Sequence, residues 1–186
     1  MKFNFTGVGI TLVCLMLSSS VWAWELNGEK NIFLIDQAGE KIQIGSVLFQ
    51  PNGQETSFDI HWNHAKMKDY FLSMREFKCL DGKTEVQCQV PYPYKSPKTI
   101  STRSYDWLEH YMLFLYKSPE NFGAKMWNGM YYKLALTEEG LKGTPYAVDL
   151  NAIAAPPDHF DMPPFGNEDR TLIPEGARWF KQLLIV

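Results

Sequence analysis

Apolar and polar residues alternate along the first third of the chain in the manner of half-buried strands. Phe58, Ile60 and Trp62 are the clearest case, since a polar residue separates each from the next. Apolar stretches at 31–36 and 42–49 precede them, with turn-forming sequences between the three segments. Because strands joined by short turns pair antiparallel, this part of the sequence predicts a three-stranded meander.

The rest of the chain contains further strand patterns and two loops rich in proline. The predicted strands are a segment within 69–80 that ends at Cys79, the segment 84–90, a hairpin formed by 132–136 and 146–150, and the C-terminal segment 182–186. The segments 91–97 and 155–174 contain several prolines. Each proline fixes its own φ and restrains the residue before it, so both segments are expected to be extended loops.

The middle of the chain shows a helical periodicity instead. Apolar residues between 107 and 115 recur at a spacing of three to four, which predicts an amphipathic helix. The sequence from Ser118 to Glu120 has a capping residue, a proline and an acid, and predicts a second short helix that ends at Asn128-Gly129. The first helix would have an apolar face with Trp107, Leu108, Tyr111, Met112, Phe114 and Leu115, and a polar face with Asp106, Glu109, His110 and Lys117.

These elements together predict a mainly β fold with α elements, in the α+β class. The number of strands and the order of the turns favour an antiparallel β-barrel or sandwich. A helical insertion is expected around residues 104–128. We expect residues 24–186 to form a single globular domain.

The first 23 residues have the pattern of a secretory signal peptide. Lys2 is followed by an apolar run from Gly7 to Leu17, and Val21 and Ala23 fit a signal peptidase site. An uncleaved membrane anchor is the alternative, but this run is well short of the roughly 20 residues that a spanning helix needs. We therefore expect a periplasmic or secreted protein of 163 residues, which is 186 less 23, with no membrane span after cleavage.

Two cysteines remain after this cleavage, Cys79 and Cys88, and we expect them to form a disulfide in an oxidising compartment. A tight hairpin on Asp81-Gly82 would separate the two Cα atoms by roughly 13 Å, at about 3.3 Å per residue. A disulfide needs Cα atoms within about 7 Å, so we expect a wider loop. A redox-active pair is the weaker alternative, because the spacing is not Cys-x-x-Cys.

The charge of the mature chain gives little information about partners. Lys2 is the only charged residue before residue 24, so 17 basic and 21 acidic side chains remain, for a net charge of −4. That mild acidity gives no reason to expect a nucleic acid or an anionic lipid as partner. The sequence also lacks nucleotide-binding, haem and nucleophile motifs, so no cofactor is expected.

Three histidines are candidates for a metal site. His61 and His64 are closely spaced, and His159 lies in the loop 155–174 between Asp158 and Asp161. These residue types could serve as metal ligands or as acid–base groups of a hydrolase, provided that the two segments converge. The simpler interpretation is that they are exposed polar residues near a turn and in a loop. Asp106 and His110, four residues apart on the predicted helix, are interpreted as a surface contact.

Aromatic residues make up 15% of the sequence. Most of them are expected in the core, because aromatic side chains favour strands. Some could instead stack on an apolar or sugar-like ligand, with the two proline-rich loops as the rim of the site. The candidates for this role are Trp62, Tyr92, Tyr94, Trp107 and Trp127.

Three segments resemble an exported family of Gram-negative bacterial proteins with no assigned activity. They are 71–80, the region from Trp107–Tyr111 to Trp127–Gly129, and 148–157. The resemblance implies a periplasmic location and carries no functional residues. Among functions, we favour a non-enzymatic binding or accessory protein. A metal-dependent or acid–base hydrolase and a protein-partner-binding module are the alternatives.

Overall fold

Antiparallel strands make up half of the described residues in a computed structural model, which covers residues 24–72 and 74–186. The strands are β1 (Gly28–Asp36), β2 (Lys41–Asn52), β3 (Glu55–Trp62), β4 (Lys68–Leu72), β5 (Arg75–Asp81), β6 (Val86–Val90), β7 (Thr99–Ile100), β8 (Leu113–Lys117), β9 (Gly129–Thr137), β10 (Gly140–Val148), β11 (Thr171–Leu172) and β12 (Phe180–Ile185). The fold is therefore mainly β with α elements, as predicted. The predicted signal peptide, residues 1–23, lies outside the described residues.

Eleven of these strands follow one another in the sheet in the order β4-β5-β6-β8-β9-β10-β12-β1-β2-β3-β7, and β11 pairs with β10. The C-terminal strand β12 lies between β10 and β1, where Ile185 is paired with both Leu141 and Ile32. It therefore joins the N-terminal meander to the β9–β10 hairpin. The sheet is not closed into a barrel and is sandwich-like, so the sandwich alternative of the prediction is the one observed.

Aromatic rings from strands far apart in the sheet order meet in the core. Trp62 of β3 packs edge-on against Phe114 of β8, with centroids 5.9 Å apart. Phe114 packs in the same way against Tyr132 of β9 at 6.2 Å. Phe114 and Tyr132 are fully buried. Since β3 lies near one end of the sheet and β8 lies near the other, these contacts show that the sheet folds over its own core.

The disulfide between Cys79 and Cys88 is present, as predicted. The two cysteines are directly paired across β5 and β6. The loop between these strands is wider than a two-residue turn, and the Gly82 N–H donates to the Glu85 carbonyl across it at 3.0 Å. This wider loop resolves the conflict between a tight turn at Asp81-Gly82 and the bridge.

The helical insertion is shorter than its periodicity suggested. The helix α1 covers only Asp106–Tyr111, and Leu113–Lys117 form β8, paired with β6 and β9. The helix was predicted too long because a fully buried strand is a continuous apolar run, which periodicity alone does not separate from a buried helix. The second predicted helix, within 118–128, is also wrong, since that segment consists of turns and irregular chain.

Helical structure is otherwise limited to two 3₁₀ turns, His64–Lys66 and Leu150–Ile153, in the part of the chain that the structure describes. No helix in residues 24–72 and 74–186 combines the length and the apolar content needed to span a membrane.

Candidate functional site

A cavity of about 250 Å³ lies beside the second half of β3 and faces the segment that leaves β6. We call it the β3 cleft. Its lining residues are Phe58, Asp59, Ile60, Trp62, Gln89, Pro91, Tyr92, Lys98 and Tyr111. Four residues of β3 line it: alternation places Phe58, Ile60 and Trp62 on one face of the strand and Asp59 on the other.

Four of these lining residues are aromatic, namely Phe58, Trp62, Tyr92 and Tyr111, and three of them contact one another through Tyr111. Tyr111, the last residue of α1, packs edge-on against Phe58 with centroids 5.5 Å apart. Tyr92 lies 6.0 Å from Tyr111 and is buried. Trp62 is only half-buried, so part of its indole is open to solvent. The cleft therefore presents apolar ring surface to a group that enters it.

The hydroxyl of Tyr92 is buried and has no hydrogen-bond partner among the described residues. Burial raises the pKa of Tyr92, with smaller contributions from Tyr111 and Tyr94, so the group is a neutral phenol. An unpaired buried hydroxyl costs about 1–3 kcal/mol, and native proteins contain few such groups.

Charged groups lie at the rim of the cleft. The Lys98 ammonium lies 5.3 Å from the centroid of the Tyr111 ring and 3.9 Å from an Asp59 carboxylate oxygen. The other carboxylate oxygen of Asp59 is 3.3 Å from Nε2 of His61. These side chains are half exposed or more, so their pairings contribute little to stability and can rearrange around a ligand.

The structure brings together two of the five rings predicted to bind a ligand, Trp62 and Tyr92. Trp107 is buried and packs on Tyr92 at 5.9 Å, behind the cleft. The Tyr94 hydroxyl donates to the Ile153 carbonyl at 3.0 Å, which ties the proline-rich loop to a 3₁₀ turn. Trp127 is 61% exposed and lies outside the cleft, with the Lys125 ammonium above its ring.

The three candidate metal ligands are all exposed. His61 pairs with Asp59 on β3, His64 lies in a 3₁₀ turn, and His159 lies in the loop between β10 and β11 beside Asp158. Within residues 24–72 and 74–186 no group of three or more His, Cys, Asp or Glu side chains is placed to hold a metal ion. The geometry thus gives no support to the metal-dependent alternative.

Other cavities among the described residues have volumes of about 260, 340 and 510 Å³. The 340 Å³ cavity is lined by residues that include Trp24 and Tyr105. The Trp24 Nε1 and the Tyr105 hydroxyl also lack hydrogen-bond partners among the described residues. The 510 Å³ cavity is a shallow depression beside Arg178. The β3 cleft differs from them in its cluster of four rings.

A group of charged and polar side chains on and beside α1, with Glu109, His110 and Tyr131 fully buried, was not expected from the sequence. It consists of Asp106, Glu109, His110, Tyr131, Lys133 and Arg170, and we call it the α1 network. Glu109 and His110 were predicted to lie on an exposed face, but both are fully buried. The prediction was wrong because α1 is covered on that side by β9 and by the loop that contains Phe165.

Glu109 is the centre of this network. Its carboxylate accepts hydrogen bonds from the Tyr131 hydroxyl and from the Leu134 N–H at 2.7 Å, and it lies 3.3 Å from the Lys133 ammonium. Burial raises the pKa of Glu109, and these three partners oppose that rise. Lys133 also reaches Asp106 at 3.0 Å. The carboxylate therefore fixes α1 to β9.

His110 connects the same helix to the loop 155–174. Its Nδ1 lies 2.6 Å from the Asp106 carbonyl oxygen and donates to it, while Nε2 accepts from the Phe165 N–H at 3.1 Å. Burial lowers the pKa of His110 to about 4, so the imidazole is neutral at pH 7. Because Glu109 and His110 are fully buried and hydrogen-bonded, they hold α1 against β9 and against the loop 155–174.

Lys117 is a further departure from the predicted polar face, since it is buried at the end of β8. Its ammonium donates to the Asn121 carbonyl, and burial lowers its pKa. Its position at the end of the strand, next to the loop 118–128, gives the ammonium a backbone partner.

Comparison with known proteins leaves the function to be inferred from the geometry. No protein-family model, curated protein or solved structure matches this chain.

Proposed function

We propose that this protein is a non-enzymatic binding or accessory protein that holds its ligand in the β3 cleft. The observation that carries the proposal is a cavity lined by four aromatic rings, one of which, Tyr92, has a buried hydroxyl with no partner among the described residues. A typical binding site has mostly apolar walls and a few polar groups that orient the ligand. The cleft fits that description, with Gln89, Asp59 and Lys98 as its other polar groups.

The volume of the cleft limits what can enter it. At about 250 Å³ it lies below the roughly 300–1,000 Å³ of sites that enclose a whole drug-sized ligand. It has room for one ring or one side chain of a ligand whose remainder lies along the surface. The entering group would stack against Trp62 and hydrogen-bond to the Tyr92 hydroxyl.

The proposal includes a periplasmic or extracellular location. Its support is the signal-peptide pattern of residues 1–23 together with the disulfide, since such bridges persist mainly in oxidising compartments. A binding role fits this location because it needs no nucleotide or reducing cofactor.

Amide chemical-shift mapping tests the binding role. The ¹⁵N-labelled protein, purified from the periplasm of a bacterial host, would be titrated with four probes: p-cresol, indole, methyl β-glucoside and a pool of random heptapeptides. We expect at least one probe to shift amides in 58–62 and 89–92, with the largest changes at those two segments. Shifts confined to other surfaces, or none with any probe, would contradict the proposal.

A matched pair of tryptophan variants provides the control. Trp62→Ala removes a ring of the cleft, and we expect it to weaken binding at least tenfold. Trp127→Ala removes an exposed ring outside the cleft, and we expect less than a twofold change. Because Trp62 also packs on Phe114, thermal melting of both variants must show that the fold is retained. Equal losses in the two variants would argue against the cleft.

A further inference from the structure

The outer edge of β3 is only partly covered. The short strand β7 pairs with Thr56 and Ser57, and the last bond on this side runs from the Phe58 N–H to the Lys98 carbonyl at 3.2 Å. Lys98 has a positive φ of 52°, unlike the extended backbone of the strand β7 that follows it. Among the described residues no strand pairs with this edge beyond Phe58.

The direction of the free backbone groups follows from strand geometry. Successive residues of a strand direct their N–H and C=O groups to opposite edges. Since the Phe58 N–H points to the β7 side, the N–H groups of Ile60 and Trp62 and the Ile60 carbonyl point there too. On the other side β3 is fully paired with β2 as far as Gly45 opposite Trp62. The free groups therefore line the open side of a firmly held strand.

The free edge and the β3 cleft coincide. Ile60 and Trp62, whose backbone groups on the β7 side are unpaired among the described residues, are also lining residues of the cavity. The spacing of the free groups, two residues or roughly 6.6–6.8 Å, is the repeat of an extended peptide. The cavity holds only one inserted group, which suits a side chain of such a peptide.

We propose that the β3 cleft takes an extended segment of a partner protein, which adds to β3 as a short antiparallel strand in line with β7. One apolar or aromatic side chain of this segment inserts between Trp62 and Tyr92. This proposal rests on the proposed binding function and names its ligand. Main-chain hydrogen bonds to Ile60 and Trp62 supply much of the affinity, and the pocket supplies the preference for one side chain, as in other strand-addition complexes.

Peptides selected from a random nonapeptide display library on the purified protein provide the test. Each selected peptide would be remade with N-methyl groups at alternate residues, in two sets that face opposite edges of the bound strand. We expect one set to lower affinity at least tenfold and the other less than twofold. Equal effects of the two sets, or no effect of either, would overturn strand addition.

The protein side is tested with Ile60→Pro, because proline is tolerated on an edge strand where its missing N–H faces outward. We expect it to lower peptide affinity at least tenfold, while Ile60→Val, which keeps the N–H, lowers it less than threefold. Equal affinities of the two variants would overturn the proposal. If Ile60→Pro does not fold, strand addition is tested by the affinities of the two sets of N-methylated peptides for the wild-type protein.

The amide chemical-shift titrations also distinguish a failure of strand addition from a failure of the proposed binding function. If methyl β-glucoside or indole shifts the cleft amides and no library peptide binds there, strand addition is wrong and the binding function stands. If neither peptides nor small probes shift the cleft amides, both are wrong.

Discussion

The ring of Phe165 lies flat on the imidazole of His110, with centroids 5.4 Å apart and planes inclined by 16°. The backbone N–H of Phe165 donates to Nε2 of the same imidazole. A residue in the middle of a long loop is thus held by both its ring and its backbone to one side chain of α1. The hydrogen bond depends on a neutral histidine, because a protonated Nε2 carries a hydrogen and cannot accept.

The first prediction concerns acid stability. Burial lowers the pKa of His110 from 6.5 to about 4, so the unfolded chain binds this proton more tightly than the folded protein does. The stabilisation that depends on neutral His110 is fully present above pH 6.5, and it is lost as the pH falls from 6.5 through 4. At about 1.4 kcal/mol for each pH unit, the loss is on the order of 3 kcal/mol. Urea unfolding across this range measures it.

A variant without the imidazole isolates this effect from the rest of the network. Asp106, Glu109, Lys133 and Arg170 all face His110 or its neighbours, and the raised pKa of Glu109 acts in the opposite direction. His110→Asn keeps a donor near the Asp106 carbonyl and removes the titration. We expect the pH dependence between 6.5 and 4 to be shallower in this variant. Identical slopes would show that His110 does not carry the proton linkage.

The second prediction concerns the carboxylate of Glu109. Glu109→Ala leaves the Tyr131 hydroxyl and the Leu134 N–H without their acceptor and Lys133 without one of its two carboxylates. We expect a loss of about 2–6 kcal/mol of unfolding free energy, because two buried donors lose their acceptor and each unsatisfied donor costs about 1–3 kcal/mol. Glu109→Gln keeps an acceptor and should lose less. Chemical denaturation of both variants is the measurement, and equal losses would contradict the hydrogen-bonding role.

The third prediction concerns the disulfide. Cys79 and Cys88 close a loop of about ten residues, and the chain-entropy model assigns such a loop about 3 kcal/mol. We expect the double variant Cys79→Ala, Cys88→Ala to lose about that much stability while keeping its β-sheet spectrum, since the β5–β6 pairing remains. Denaturation with and without reductant checks this. A double variant as stable as the bridged protein would refute it.

Local sequence pattern predicted the strands better than it predicted the helix or the site. Alternation identified β3 and the face that Phe58, Ile60 and Trp62 share, because that pattern depends only on neighbours along the chain. Leu115 was assigned to a helix, since a strand buried on both faces has no alternation to reveal it. Its buried position is unaffected by that error.

The burial of Glu109 and His110 in the α1 network could not be predicted from the sequence, for a different reason. Nothing near Glu109 in the sequence indicates that β9 and the loop around Phe165 will cover it, since Leu134 and Phe165 are 25 and 55 residues from their hydrogen-bond partners on α1. Likewise Trp62 and Tyr92 become neighbours only because the sheet folds over. Their roles as candidate binding rings could be listed from the sequence, but their convergence in one cleft could not.

The fourth prediction separates binding from stability at Tyr92. Tyr92→Phe removes only the hydroxyl, which is buried without a hydrogen-bond partner, so the folded protein no longer bears the cost of removing that group from water. The variant keeps the packing of the ring against Trp107 and Tyr111. We expect the free energy of unfolding to stay the same or to rise by about 1 kcal/mol. Affinity for a cleft ligand should fall about two- to tenfold, since one hydrogen bond is worth about 0.5–1.5 kcal/mol.

Tyr105→Phe is the matched control, because the Tyr105 hydroxyl is also buried and unpaired but lies in the separate cavity beside Trp24. It should give the same small change in stability and no change in binding at the β3 cleft. Thermal melting and titration with a cleft-binding probe on both variants provide the comparison. A Tyr92→Phe protein that loses stability would show that the hydroxyl has an internal partner, and the argument for a ligand at Tyr92 would then fail.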